Sequence, residues 1–74
     1  MTKEKIKEIC KKYDIIEYTI NNDMSINANQ NVFFSGKGLE ALPLNFNEVN
    51  GAFQCERNYL LSLKGAPNYV ILNK

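Results

Sequence analysis

Residues 51–70 read GAFQCERNYLLSLKGAPNYV, and residues 30–49 read QNVFFSGKGLEALPLNFNEV. Set against each other at a step of twenty-one residues, from 30 to 51, they pair Val32 with Phe53, Phe34 with Cys55, Leu39 with Leu60, Leu42 with Leu63 and Val49 with Val70. No other feature restricts the fold as strongly. A unit of about twenty residues cannot enclose its own apolar side chains, so copies must stack and bury one against the next. The chain has 74 residues, and a domain of that size buries only about 60 to 65% of the surface its unfolded form exposes. The core is therefore small, and a long structureless loop would be hard to support.

The segment ahead of the repeat has its own periodicities. Ile6, Ile9, Cys10 and Tyr13 recur at helical spacing among lysines and glutamates, which predicts an amphipathic helix from about Thr2 to Tyr13. Thr2 is its expected N-cap, Glu8 is placed to reach Lys11 or Lys12, and Asp14 begins the exit. In IIEYTINNDMSI, Ile16, Tyr18 and Ile20 alternate with polar residues before the cluster Asn21, Asn22 and Asp23. Alternation interrupted by residues that tolerate positive φ predicts a β-hairpin with a loop of three to five residues, about. No proline- or glycine-rich linker follows, so one domain is expected: helix 1–14, hairpin cap 15–30, first coil 31–49, and second coil with the start of a third strand 50–74.

The second copy fits the pattern Leu-x-Leu-x-x-Asn-x-Leu-x-x-Leu with Phe53, Cys55, Asn58, Leu60 and Leu63; the first supplies Val32, Phe34, Lys37, Leu39 and Leu42. This is the leucine-rich-repeat signature, and its period falls within the roughly 20 to 29 residues of that class. A short strand would turn Phe53 and Cys55 inward, Asn58 would satisfy backbone groups of the turn, Leu60 and Leu63 would fill the floor, and Gly65 to Pro67 would return the chain.

The stretch Gly51, Phe53, Cys55, Asn58, Leu60, Ser62, Leu63, Gly65, Ala66, Pro67 and Val70 also resembles the leucine-rich-repeat-like proteins of bacteriophages and prophages, as does the leader of helix and hairpin. The chain departs from that pattern in stopping after two coils, in Lys37 at the first turn asparagine, and in Glu56 and Arg57 after the cysteine. The resemblance implies an α+β fold, in which an N-terminal helix and β-hairpin cap a short, right-handed, two-coil leucine-rich-repeat-like β-solenoid. It also implies a binding scaffold, not a particular reaction.

Residue chemistry points the same way. The chain has no histidine and two cysteines, which are expected to be reduced core thiols, so neither an imidazole triad nor a zinc site is anticipated. FSGKG at 34–38 lacks the glycine and hydroxyl spacing of a phosphate loop. No enzyme activity, cofactor, metal or small-molecule substrate is expected. The net charge of +1 gives no general reason for nucleic acid as a partner; the cluster Lys3, Lys5, Lys7, Lys11 and Lys12 is the one place for it. There is neither a membrane-length apolar run nor a signal-peptide pattern, so a cytoplasmic location is expected and no membrane partner is anticipated; the resemblance implies that the cytoplasm is that of a bacterial host.

A protein partner is the remaining expectation, either a host protein, inhibited or captured, or a second copy. Between the inward positions, Phe33, Ser35, Gln54 and Glu56 should lie side by side, with Arg57 and Tyr59 nearby. The run Tyr69, Val70, Ile71 and Leu72 should leave an open sheet edge, with Tyr69 and Ile71 as contact residues. Packing in a virion or larger assembly would use the same edge.

Overall fold

The computed structural model describes residues 1–71, without the Ile71 side chain, as an α+β arrangement of one helix and six strands. Helix α1 (Lys3–Lys12) starts where expected: Thr2 is extended at φ −86 and ψ 163, and its hydroxyl accepts from the Lys5 N–H at 3.2 Å. It ends on a left-handed residue, Asp14, at φ +59. The Ile15 N–H then reaches back to the Cys10 carbonyl at 2.8 Å, the six-to-one bond of a Schellman ending. That turn drives Ile15 inward to 2% exposure and leaves Ile16 at 78%, so the expected inward alternation begins at Tyr18, not Ile16. The ion pair formed by Glu8 is with Lys5, at 4.0 Å, instead of with Lys11 or Lys12. Both side chains are well exposed, and such a pair contributes little.

Strands β1 (Tyr18–Ile20) and β2 (Ile26–Ala28) form the antiparallel hairpin, with Tyr18 opposite Ala28 and Ile20 opposite Ile26. The loop closes through the Asn21 N–H on the Ser25 carbonyl at 2.8 Å, and Met24 takes φ +69. Asp23 Oδ1 accepts the Ser25 N–H at 2.9 Å. Gln30 anchors the hairpin to the helix exit. Its Oε1 accepts from the Ile16 and Glu17 N–H groups at 2.7 and 3.0 Å, and its Nε2 donates to the Asp14 carbonyl at 3.0 Å.

The remaining strands repeat. β3 (Val32–Phe33) pairs in parallel with β5 (Phe53–Gln54), and β4 (Phe46–Asn50) pairs in parallel with both β2 and β6 (Tyr69–Ile71). One sheet has the order β1-β2-β4-β6 and the other β3-β5. Val32 lies opposite Phe53 and Val49 opposite Val70, the same partners that the sequence alignment aligns. The strand expected to start near Tyr69 is present but pairs with β4, a strand that was not expected, so each repeat contributes two short strands. FNEVN at 46–50 was legible only as Phe46 and Val49 among polar residues. Between β2 and β4 the register slips at Ile26/Asn27, passing over Asn47, and the Asn47 side chain donates to Asn27 Oδ1 at 3.0 Å. Asn68 donates to Asn47 in turn at 3.2 Å, and Asn50 to Asn29 at 2.9 Å. These amide ladders satisfy side chains that the sheet would otherwise leave to solvent.

The chain corners between β4 and β5 at Gly51, where φ is +151 and a Cβ would sit 2.5 Å from Asn31 Oδ1 and 2.9 Å from the Gln30 carbonyl. Only glycine fits there without displacement.

The core consists of Ile6, Cys10, Ile15, Ile26, Ala28, Val32, Phe34, Leu44, Phe46 and Val49. At its centre, Phe34 is 5.9 Å from Phe46 and 6.0 Å from Phe53, ring centroid to centroid, and Tyr13 of the helix exit meets Phe34 edge-on at 5.0 Å. Each such side chain contributes about 1.5 to 3 kcal/mol by burial, with the aromatic contacts adding to it. Phe53 and Cys55 turn toward this core and are half-buried, as their alternation requires. The expected floor of the second copy does not form: Leu63 is 64% exposed and Leu60 only half-buried. Their counterparts Leu39 and Leu42 pack against the core because residues 59–61 lie over 39–40, through Tyr59 N–H to the Leu39 carbonyl at 2.7 Å. Among the described residues nothing lies over the second copy.

Candidate functional site

Two surfaces carry the expected site residues, and a third shares Phe33 with the first. On the two-stranded sheet, Phe33 stands opposite Gln54, and both are exposed. Two residues further, the Ser35 hydroxyl donates to Glu56 Oε1 at 2.7 Å across the 21-residue step. That bond, with a smaller contribution from Arg57, holds the Glu56 carboxyl below the usual carboxylate range. Arg57 itself adopts φ +59 and points to solvent. Phe33, Ser35, Gln54 and Glu56 are thus brought together.

Asn58 sets this geometry. Its Oδ1 accepts the Lys37 and Leu39 N–H groups, both at 3.0 Å, and its Nδ2 donates to the Phe34 carbonyl at 2.7 Å and the Cys55 carbonyl at 2.9 Å. One amide therefore serves the turns of both copies, which accounts for how the first copy turns with Lys37 at its own asparagine position.

The second surface is the open end. Tyr59, Leu61, Leu63, Tyr69 and Val70 are 73%, 92%, 64%, 63% and 47% exposed. Tyr69 and Val70 belong to β6, the outer strand of its sheet among the described residues. The Ile71 backbone is in that strand, opposite Asn50, while its side chain and Leu72 lie outside the described residues. The exposure of Leu61 and Leu63 was not expected: the repeat pattern assigns Leu63 to the floor, and only the consecutive apolar run Tyr59-Leu60-Leu61, too dense for one inward face, signals that Leu61 faces out.

A third surface was not anticipated. Between the end of α1 and the start of β3 lies a cleft lined by Lys12, Tyr13, Asp14, Asn31, Phe33 and Lys37. Sequence separates Lys12 from Lys37 too widely for the two to be associated. The rest of the helix lysines face solvent.

The thiols lie apart from these surfaces. Cys10 is buried, which pushes its pKa up, against the smaller opposing effect of the hydrogen bond from Tyr18. Cys55 is half-buried and also free. Among the described residues no three histidine, cysteine, aspartate or glutamate side chains cluster as a metal site, and no helix is long and apolar enough to cross a membrane. Compared with family models, curated proteins and solved structures, the chain matches none.

Proposed function

We propose that the chain is a noncatalytic protein-binding module of a bacteriophage or prophage, acting in the bacterial cytoplasm on a host protein or defence complex, which it inhibits by occupying a surface. In this reading the fold is a short leucine-rich-repeat-like solenoid capped by the helix and hairpin. The parallel registers that repeat at 21 residues support it, as do the Ser35–Glu56, Asn50–Asn29 and Asn68–Asn47 side-chain bonds, which span the same step. The observation that carries the functional reading is the number of large apolar side chains that the second copy exposes, Tyr59, Leu61, Leu63, Tyr69 and Val70. Large exposed apolar patches on small proteins mark contact surfaces. Phe33, 49% exposed beside polar neighbours, supplies an aromatic anchor of the kind that dominates interface energetics.

The outer strand β6 also favours a second reading, constitutive packing in a virion or larger assembly through edge-to-edge pairing. Tagged protein passed over a bacterial host lysate separates the two. The inhibitor reading expects a monomer that retains one host protein in a defined complex, with retention lost in the variant L61S/Y69S. Self-association into a large species, with no variant-sensitive capture, establishes the structural reading instead.

A further inference from the structure

The cleft beside Phe33 has a chemistry of its own. Lys12 and Lys37 come to it from elements far apart in the chain, the last turn of α1 and the turn after β3. Lys12 Nζ lies 5.6 Å from the centroid of the Tyr13 ring, which is itself part of the cleft wall. Gln30 is committed to the scaffold: Oε1 accepts from Ile16 and Glu17, and Nε2 donates to the Asp14 and Asn31 carbonyls. Asn31 Oδ1 accepts from the Ala52 N–H at 2.8 Å. The groups with which the cleft meets a ligand include two ammonium groups, the Asp14 carboxylate and the Phe33 ring at 49% exposure.

We propose that this cleft receives an acidic segment of a partner protein, with its carboxylates at Lys12 and Lys37 and an adjacent apolar side chain on Phe33. This rests on the protein-binding reading and names the chemistry of the partner. Charge complementarity of this kind governs encounter and register, while the apolar contact supplies the desolvated anchor. A single-stranded nucleic acid fits less well. It would need successive stacking platforms, and the cleft offers the single exposed ring of Phe33 beside the Tyr13 wall. The net charge of the chain, +1, provides no wider field for it.

The test is fluorescence anisotropy with a short labelled peptide of aspartates and glutamates around one phenylalanine, with a labelled oligonucleotide run in parallel. The intact chain should bind the peptide saturably and more weakly as salt is raised. K12E/K37E and, separately, F33A should each weaken binding by about tenfold, since two reversed ion pairs or one lost anchor are each of that order. L61S/Y69S should leave peptide binding unchanged. All these side chains are exposed or at the cleft rim, and thermal unfolding of each variant checks that the fold is retained. Absence of saturable binding, indifference to K12E/K37E, or tighter oligonucleotide binding at the same lysines overturns the inference. If L61S/Y69S still abolishes capture of a host protein while the peptide fails to bind, the cleft inference falls alone. If neither the peptide nor any host protein is retained, the protein-binding reading falls with it.

Discussion

Asn58 makes four hydrogen bonds of 3.0 Å or less to backbone groups of two turns, so its replacement tests the internal stitching of the repeat directly. Asn58→Ala leaves half-buried donors and acceptors unpaired, and the expected loss is about 2 to 3 kcal/mol in urea unfolding. Asn58→Asp keeps the two accepted bonds and loses the donated ones, so it should fall between alanine and wild type. Gly51→Ala forces a Cβ to within 2.5 Å of Asn31 Oδ1 at a backbone angle other residues rarely adopt, with an expected cost of about 1 to 3 kcal/mol by the same measurement. The Ser35–Glu56 bond has a titration signature. Because the folded pKa of Glu56 is lowered, its contribution to stability is present above the ordinary carboxylate range and is lost as pH falls through the lowered value. Ser35→Ala should move the NMR titration midpoint of the Glu56 carboxyl upward toward the ordinary range; an unmoved midpoint would show that Ser35 is not the cause.

At the scale of elements, the helix is bound through a narrow stripe. Ile6 and Cys10 are each 1% exposed, and Tyr13 carries the contact on to Phe34. Ile6→Ala should cost about 2 to 4 kcal/mol, the range for a truncated core aliphatic. Thr2→Ala should cost about 1 kcal/mol as a lost N-cap. A Thr2 effect as large as that of Ile6 would mean that helix propensity, and not docking, holds the element. The helix and hairpin were legible because their signals are local: a 3.6-residue period ending at Asp14, and alternation ending at Asn and Asp residues that accept positive φ. Strand β4 was not, although the strand at Tyr69–Ile71 was. Two apolar positions in FNEVN give no alternation by themselves, and the strand exists because β2 and β6 flank it on both sides.

Across the whole molecule, burial declines from the capped end to the open one. Val49 is fully buried between β2 and β6, whereas Val70, its partner in register, is 47% exposed. Native-state hydrogen exchange should follow that gradient, with the amides of β2 and β4 most protected and those of β5 and β6 opening at lower free energy. Equal protection from end to end would indicate that the second copy is as firmly held as the first. The same gradient separates the candidate surfaces: the exposed apolar residues of the second copy occupy the least buried part, while Phe33 and the lysine cleft sit where the helix exit meets the first copy.

The sequence by itself determined the repeat, its 21-residue step and the pairing of Val32 with Phe53 and Val49 with Val70, because those depend on the spacing of apolar residues; that Asn58 bonds the turns of both copies came from the structure. The sequence also determined the helix and hairpin, whose causes lie within a few neighbouring residues. Only the tertiary structure decided which leucines are covered and which charges converge. Leu42 and Leu63 occupy equivalent positions, yet one packs against the core and the other stands in solvent. Lys12 and Lys37 share a cleft that no local pattern connects. Burial and electrostatic proximity are properties of what is stacked above a residue and across from it, and neither is written in the residues beside it.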